Sequence, residues 1–207
     1  MCILFLRKIP WMPGAPHKIP VLIKALALVA ILASSACATR PPISFAPPPP
    51  ANCCSTWQSV HFEEMDAHGV SRSHISLNGS PTFDFPEGRA TFVAYRLPQV
   101  EAKTVEVDTY PSSDWLPLAT VFRPRVLFLD AGLKEVADDK LNPMARDSKF
   151  LRGSYYFATT PIPASAKYIV VYAASSANTD RLVARSENGS LYGLPNAYEG
   201  DISIILK

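Results

Sequence analysis

The sequence lacks an excess of either charge once its first 36 residues are set aside. The chain of 207 residues carries 20 Lys and Arg against 18 Asp and Glu. Four of the cations and none of the acids lie before Cys37, which leaves 16 cations against 18 acids in the remainder. Because nucleic-acid binding depends on a cationic surface, we expect no nucleic-acid partner.

The sequence also lacks the usual signatures of catalysis and of metal binding. It contains no glycine-rich phosphate loop, no Gly-x-Ser-x-Gly elbow and no His-Glu-x-x-His pair. No cysteine follows Cys54, and the histidines at 61, 68 and 74 are not spaced as zinc ligands to it. We therefore predict a non-enzymatic protein with no catalytic residue, no metal site and no cofactor.

Long hydrophobic runs are missing too, with one exception near the N-terminus. Residues 21–33 are apolar apart from Lys24, and the uninterrupted part is too short to span a bilayer comfortably. Such a run, followed by the small residues 34–36, is typical of a secretory signal. We predict a signal peptide over residues 1–36; an N-terminal membrane anchor that is never cleaved is the alternative.

The residue after this segment, Cys37, is the predicted site of lipid modification. Small residues precede it as in a bacterial lipoprotein, although Ser34 stands where such sites usually carry leucine. Cleavage by ordinary signal peptidase near this point is the alternative. Several acyl chains on one cysteine would anchor the chain durably in a membrane. We expect a periplasmic location with an outer-membrane anchor.

A proline-rich tether is predicted directly after Cys37, and the two together occupy residues 37–52. Residues 39–51 read TRPPISFAPPPPA, which favours an extended polyproline-type conformation. Cys53 and Cys54 follow, and in an oxidising compartment two adjacent thiols seldom stay free. A vicinal disulfide between them, two reduced and buried thiols, or an intermolecular or redox role are the alternatives.

The remaining residues predict an all-β body. In Ser80–Pro98, two alternating segments flank the turn residues 86–88, which indicates a bent or hairpin-like pair of strands. Lys103–Tyr110 alternates as a half-solvated strand would, whereas Tyr168–Ala174 is apolar on both faces and indicates a central strand. Ala119–Asp130 is apolar but is interrupted by Arg123-Pro124-Arg125, which implies a bulge or an edge position.

These patterns predict an antiparallel β-sandwich of jelly-roll or Ig-like type, with about eight or nine short strands over residues 80–207. Residues 53–79 are predicted as a lead-in segment that packs on this domain. Trp115 and Tyr110 are the candidate ligand-binding residues, since exposed aromatic rings stack on sugars; core or edge packing is the alternative for each of the aromatics at 57, 110, 115, 192 and 198. Glu63 and Glu64 suggest an acid/base pair of a glycan hydrolase, or simply a solvated face.

Four separated motifs extend this reading: Cys53-Cys54, Ser80-Pro81-x-Phe83-Asp84-Phe85-Pro86-x-Gly88, Ala94-Tyr95-x-Leu97-Pro98 and Phe122-x-Pro124-x-Val126-Leu127-x-Leu129-Asp130. In this order they resemble the maltose operon periplasmic protein (MalM) family, over residues 53–207. The resemblance implies an exported, β-rich envelope protein associated with carbohydrate (maltose) transport, with no established catalytic residues. It thus favours an accessory module whose partner is an envelope protein or a glycan.

Overall fold

The computed structural model describes residues 46–149 and 153–207. The predicted signal peptide, Cys37 and the first part of the predicted tether lie outside the described residues. Two short 3₁₀ helices, Trp57–Ser59 and Leu116–Leu118, accompany the strands. The strands are β1 (Glu63–Glu64), β2 (Gly69–Ile75), β3 (Thr82–Phe85), β4 (Gly88–Arg96), β5 (Thr104–Tyr110), β6 (Val121–Phe122), β7 (Pro124–Leu129), β8 (Glu135–Asp139), β9 (Ala145–Lys149), β10 (Gly153–Pro161), β11 (Tyr168–Ala173), β12 (Leu182–Arg185), β13 (Leu191–Leu194), β14 (Asn196–Ala197) and β15 (Gly200–Leu206).

Two sheets form the body of the protein. One has the order β1-β4-β11-β7-β8, with β3 paired to β4, and the other has the order β2-β15-β5-β10-β9. Long strands that follow each other in the chain mostly alternate between the two sheets, and their neighbours within a sheet are antiparallel. This is the strand order of a jelly roll, so the predicted all-β antiparallel sandwich is confirmed. The strands outnumber the predicted eight or nine because short pairs such as β6 with β14 add to the long ones.

The core lies where the sheets pack together. Val107 and Ile204 from one sheet belong to the same buried cluster as Phe128 and Val171 from the other, and all four side chains are fully buried. Each side chain of this size contributes about 1.5–3 kcal/mol through burial. The prediction of a central strand at Tyr168–Ala174 is confirmed, because β11 lies between β4 and β7.

The predicted pair of strands at Ser80–Pro98 is also confirmed. Strands β3 and β4 form an antiparallel hairpin, and Gly88 begins β4 with a φ of +115°, which favours glycine. The hairpin carries an aromatic cluster: the ring of Phe85 stacks on Tyr172 with centroids 3.8 Å apart, and Phe83 stacks on Trp57 at 4.1 Å. The aromatic residues of this stretch therefore pack in the core.

Two other predictions are wrong. The strand predicted as half-solvated, β5, has six of its seven residues buried, on both faces, and its edges pair with β10 and β15. Its outward Glu106 is covered by an ion pair with Lys207 at 2.7 Å. Pro124 marks neither a bulge nor an edge strand: it is the first residue of β7, which lies between β8 and β11. A proline at the start of a strand breaks no ladder hydrogen bond in its interior.

Residues 53–79, predicted as a lead-in segment, contain β1 and β2. Strand β2 is the outer strand of the second sheet and pairs with β15. The segment also packs Trp57 on the aromatic cluster. Across residues 46–149 and 153–207, no helix is long and apolar enough to cross a membrane.

Candidate functional site

A small structural unit projects beside the jelly roll and carries the candidate site. Strands β12 and β13 form a two-stranded sheet, and the helix Leu116–Leu118 packs against β13. In β12 the side chains alternate, so that Leu182 and Ala184 are buried while Val183 and Arg185 are exposed. The buried ones join a second cluster, separate from the main core: Ala119, Val121, Tyr156, Leu182, Ala184 and Leu194.

An open groove of about 670 Å³ runs between this unit and the edge of the second sheet. We call it the Trp115 groove. Its chemically distinctive lining residues are Asp114, Trp115, Arg146, Arg185, Glu187 and Tyr192. They come from three separate segments: the loop after β5, strand β9, and the hairpin β12–β13.

Trp115 is the most exposed large apolar side chain among the described residues, with 64% of its surface accessible. Its backbone N–H donates a hydrogen bond to Ser113 Oγ at 3.0 Å, which fixes the loop locally. Pro117, two residues later, restricts the backbone further. The indole is therefore presented to solvent on a constrained backbone, and a flat apolar ligand surface can stack on it.

The charges of the groove balance but do not neutralise each other by direct contact. Arg146 and Arg185 face the carboxylates of Asp114 and Glu187 in the same lining, and within the part of the chain that the structure describes none of the four makes an ion pair. Arg146 Nη2 donates to Ser154 Oγ at 2.8 Å. The groove therefore offers donors and acceptors to a ligand while carrying little net charge.

Tyr156 fixes the hairpin side of the groove. Its side chain is buried in the second cluster, and its hydroxyl forms a hydrogen bond with the backbone of Arg185. Burial raises the pKa of Tyr156, while the positive charge of Arg146 and the bond to Arg185 oppose the rise. The phenol is thus neutral at physiological pH and supports the wall that carries Arg185.

A second, larger groove of about 1010 Å³ lies near Tyr168 and Arg96, and we call it the Tyr168 groove. The ring of Tyr168 is covered by Phe62, with centroids 4.5 Å apart, and by the guanidinium of Arg96, whose carbon lies 5.6 Å from the ring centroid. Arg96 Nε also forms an ion pair with Glu64 Oε1 at 3.2 Å. The ring of Tyr168 and the charges of Arg96 and Glu64 therefore already have partners in the protein.

The structure places the predicted carboxylate pair at the border of the Tyr168 groove. Glu63 and Glu64 form the short strand β1, and both are exposed. Adjacent residues of a strand point to opposite faces, and only Glu64 lines the groove. The two carboxylates are thus not brought together across one cleft.

Of the aromatic residues considered from the sequence, the structure brings Trp115 and Tyr192 together in one groove. It does not bring Tyr110 there. Tyr110 is buried, its hydroxyl lies 3.2 Å from Ser203 Oγ, and the guanidinium carbon of Arg72 lies 5.0 Å from its ring centroid. Trp57 belongs to the aromatic cluster of the core, and Tyr198 is buried.

Sequence reasoning missed the polar residues of the groove. Arg146 and Arg185 lie in different strands, with no spacing that connects them in the sequence. Their proximity depends on how β9 and the hairpin β12–β13 are placed by the fold. The cysteines lie apart from this groove: Cys53 and Cys54 form a vicinal disulfide. Among the described residues no group of three or more His, Cys, Asp or Glu is placed to hold a metal ion.

Fold and site together define a jelly-roll protein with an aromatic, charge-balanced surface groove. Comparison with protein-family models, with curated proteins and with solved structures finds no match for this chain.

Proposed function

We propose that this protein is a non-enzymatic accessory module of the cell envelope and that it binds a carbohydrate in the Trp115 groove. The observation that carries the proposal is the exposure of the Trp115 indole, 64%, at the wall of a groove whose charged residues make no ion pair within residues 46–149 and 153–207. A sugar ring has an apolar face that stacks on an aromatic ring, and hydroxyl groups that bond to arginines and carboxylates alike.

The envelope part of the proposal is supported by the order of segments in the sequence. A secretory signal, Cys37 and a proline-rich tether precede the folded domain. The resemblance to the MalM family points in the same direction, toward carbohydrate (maltose) transport. The proposal predicts that radiolabelled palmitate enters the wild-type protein and does not enter the Cys37→Ala variant. Equal labelling of the two, or none of the wild type, contradicts the lipid anchor.

Carbohydrate binding is tested by calorimetric titration of the full-length protein with maltodextrins and with cell-wall glycans. We expect heat of binding with at least one of them, and its loss in Trp115→Ala. Val183→Ala is the matched control, because Val183 is similarly exposed, at 59%, on the hairpin but does not line the groove. Absence of heat in the wild type with every glycan contradicts the proposal, and so does equal binding by the Trp115 variant.

A protein partner is the second candidate, favoured by one observation. Of the five large apolar side chains exposed among the described residues, four lie on the short helix, directly before it or on the hairpin, and the helix and hairpin contact each other: Trp115, Leu118, Val183 and Leu191. Apolar side chains exposed in a group are typical of interaction surfaces. Crosslinking in cells followed by purification, with and without carbohydrate induction, distinguishes the two: a partner lost in Val183→Asp but retained in Trp115→Ala favours docking over sugar binding.

A further inference from the structure

Two arginines are fully buried in the described part of the protein, at the start of β7. Arg123 and Arg125 flank Pro124 and are 1% and 0% exposed. Burial lowers the pKa of Arg123, the nearby charge of Asp180 opposes this, and that of Arg125 adds to it. A buried cation is tolerated only where opposite charge and hydrogen-bond acceptors compensate for the lost water.

The two guanidinium groups contact three separate loops. Arg125 Nη1 donates to the backbone oxygen of Lys140 at 2.8 Å, and Arg125 Nε lies 3.4 Å from Glu87 Oε1. Arg123 Nη2 donates to Asn142 Oδ1 at 3.2 Å. Both guanidinium groups also contact Asp180, which lies in the loop before β12. The turn before β4, the loop before β9 and the loop before β12 thus meet at one cluster.

Asp180 is the acid that the two arginines share. Its Oδ2 lies 3.8 Å from Arg123 Nη2 and 3.6 Å from Arg125 Nη2. Among the described residues it is the sole ion-pair partner of Arg123, and three buried nitrogens of the arginines, Arg123 Nε and Nη1 and Arg125 Nη2, have no hydrogen-bond partner. Removing the charge of Asp180 would therefore leave Arg123 with no ion-pair partner among the described residues, and Arg125 with Glu87 and the backbone oxygen of Lys140.

The loops that meet at this cluster continue directly into the walls of the Trp115 groove. The loop that contains Asn142 leads into β9, which supplies Arg146. The loop that contains Asp180 leads into β12, which supplies Arg185. Asn142 Nδ2 lies 3.5 Å from Asp180 Oδ1, so the two loops are also joined to each other.

We propose that Asp180, held by buried Arg123 and Arg125, is a positioning residue that fixes the hairpin β12–β13 and with it the ligand-facing wall of the Trp115 groove. The inference rests on the proposed function for the identity of the ligand, and on the contacts above for the positioning itself. The proposal predicts a local effect when Asp180 is replaced: the hairpin loosens while the two sheets of the jelly roll stay intact.

The test compares Asp180→Asn with Asp84→Asn in the full-length protein. Asp84 is the matched control, because its carboxylate also binds an arginine, Arg89, at 2.8 Å, but on the surface. Hydrogen–deuterium exchange is measured at residues 182–194 and in β4, β5 and β11, and maltodextrin and cell-wall glycan affinity is measured by calorimetry. Arg123→Met/Asp180→Asn is included, since replacing a whole buried charge pair often costs little.

We expect Asp180→Asn to speed exchange in the hairpin by about tenfold or more, to leave the three core strands unchanged, and to lower glycan affinity by about threefold to thirtyfold. Asp84→Asn should change neither, and the double variant should recover part of both losses. Unchanged hairpin exchange overturns the proposal, and so does faster exchange spread equally over all strands. If the wild type binds no glycan, the proposed function fails, while the exchange result still decides the positioning role.

Discussion

The two grooves of this protein differ less in volume than in the contacts that their aromatic and charged side chains make within the protein. The Tyr168 groove is the larger, at about 1010 Å³ against about 670 Å³ for the Trp115 groove. In the larger groove the aromatic ring is covered by Phe62 and the arginine is paired with Glu64. In the smaller groove the indole of Trp115 is exposed and its four charged residues have no ion-pair partner in the described ranges.

The comparison shows that volume alone is a poor guide to a binding site. Groups that already stack and pair within the protein have little to gain from a ligand, which must first displace those contacts. Charged groups that make no ion pair within the protein can bind a ligand without breaking one. Under the proposed function, Tyr168 should therefore have a mainly structural role and Trp115 should contact the ligand.

The largest effect is expected for Tyr168→Ala. The variant loses ring contacts with Phe62 and with the guanidinium of Arg96, so the free energy of unfolding should fall by about 2 kcal/mol. Urea denaturation measures this, and calorimetry should find the glycan affinity of the folded variant unchanged. A stable Tyr168 variant that no longer binds glycan would reverse the roles of the two grooves.

Arg185→Ala is expected to weaken glycan binding and to leave the stability of the fold nearly unchanged. Arg185 is exposed in β12 and lines the Trp115 groove, so its removal should cost about 1.5 kcal/mol of binding free energy through lost charged hydrogen bonds. The free energy of unfolding should change by less than about 0.5 kcal/mol. Calorimetry and urea denaturation measure the two quantities. Arg96→Ala serves as control, and an equal loss of glycan affinity in that variant would argue against this division of roles between the two grooves.

The smallest effect is expected at a third charged cluster, which is internally paired like that of the Tyr168 groove. Asp201 lies 3.1 Å from Arg72 Nε and 2.7 Å from His74 Nδ1. Burial tends to raise the pKa of Asp201, but the hydrogen bonds from His74 and Arg72 outweigh it and lower the pKa. The stabilisation is therefore present above about pH 4, the ordinary value, and is lost as the pH falls through the lowered pKa.

Asp201→Asn should accordingly reduce the free energy of unfolding at pH 7 by less than about 1 kcal/mol, because the pair is partly solvated. The difference from wild type should shrink as the pH falls below about 4. Urea denaturation between pH 7 and pH 3 measures it. A difference that grows toward low pH would contradict the assigned contacts.

The fold class could be predicted from the sequence because the strands with the clearest hydrophobic patterns are those that pack in the core. The hairpin β3–β4 and the central strand β11 have such patterns, and both are confirmed. The prediction for β5 was wrong because its alternating Glu106 and Asp108 indicate a solvent-facing side. In the structure Glu106 pairs with Lys207, and Asp108 is fully buried. Alternation shows which side chains are polar but does not show whether they are exposed. A cation such as Lys207, about a hundred residues away in the sequence, can cover a polar side chain.

The candidate site was predictable only in part. Trp115 is a candidate from the sequence because an exposed aromatic ring can stack on a sugar, and the structure shows that it is exposed and lines the groove. Tyr110 is a candidate for the same stacking reason, but its position in β5 buries it under Arg72. The contributions of β9 and of the hairpin depend on contacts between distant segments, and no local pattern encodes them.

Hydrogen–deuterium exchange with and without a saturating glycan tests the central claim most directly. The account predicts protection at residues 111–117 and 185–192, which line the Trp115 groove, and no change at residues 96–102 and 162–168, which line the Tyr168 groove. Protection confined to the Tyr168 groove, or no protection at either groove, would contradict it.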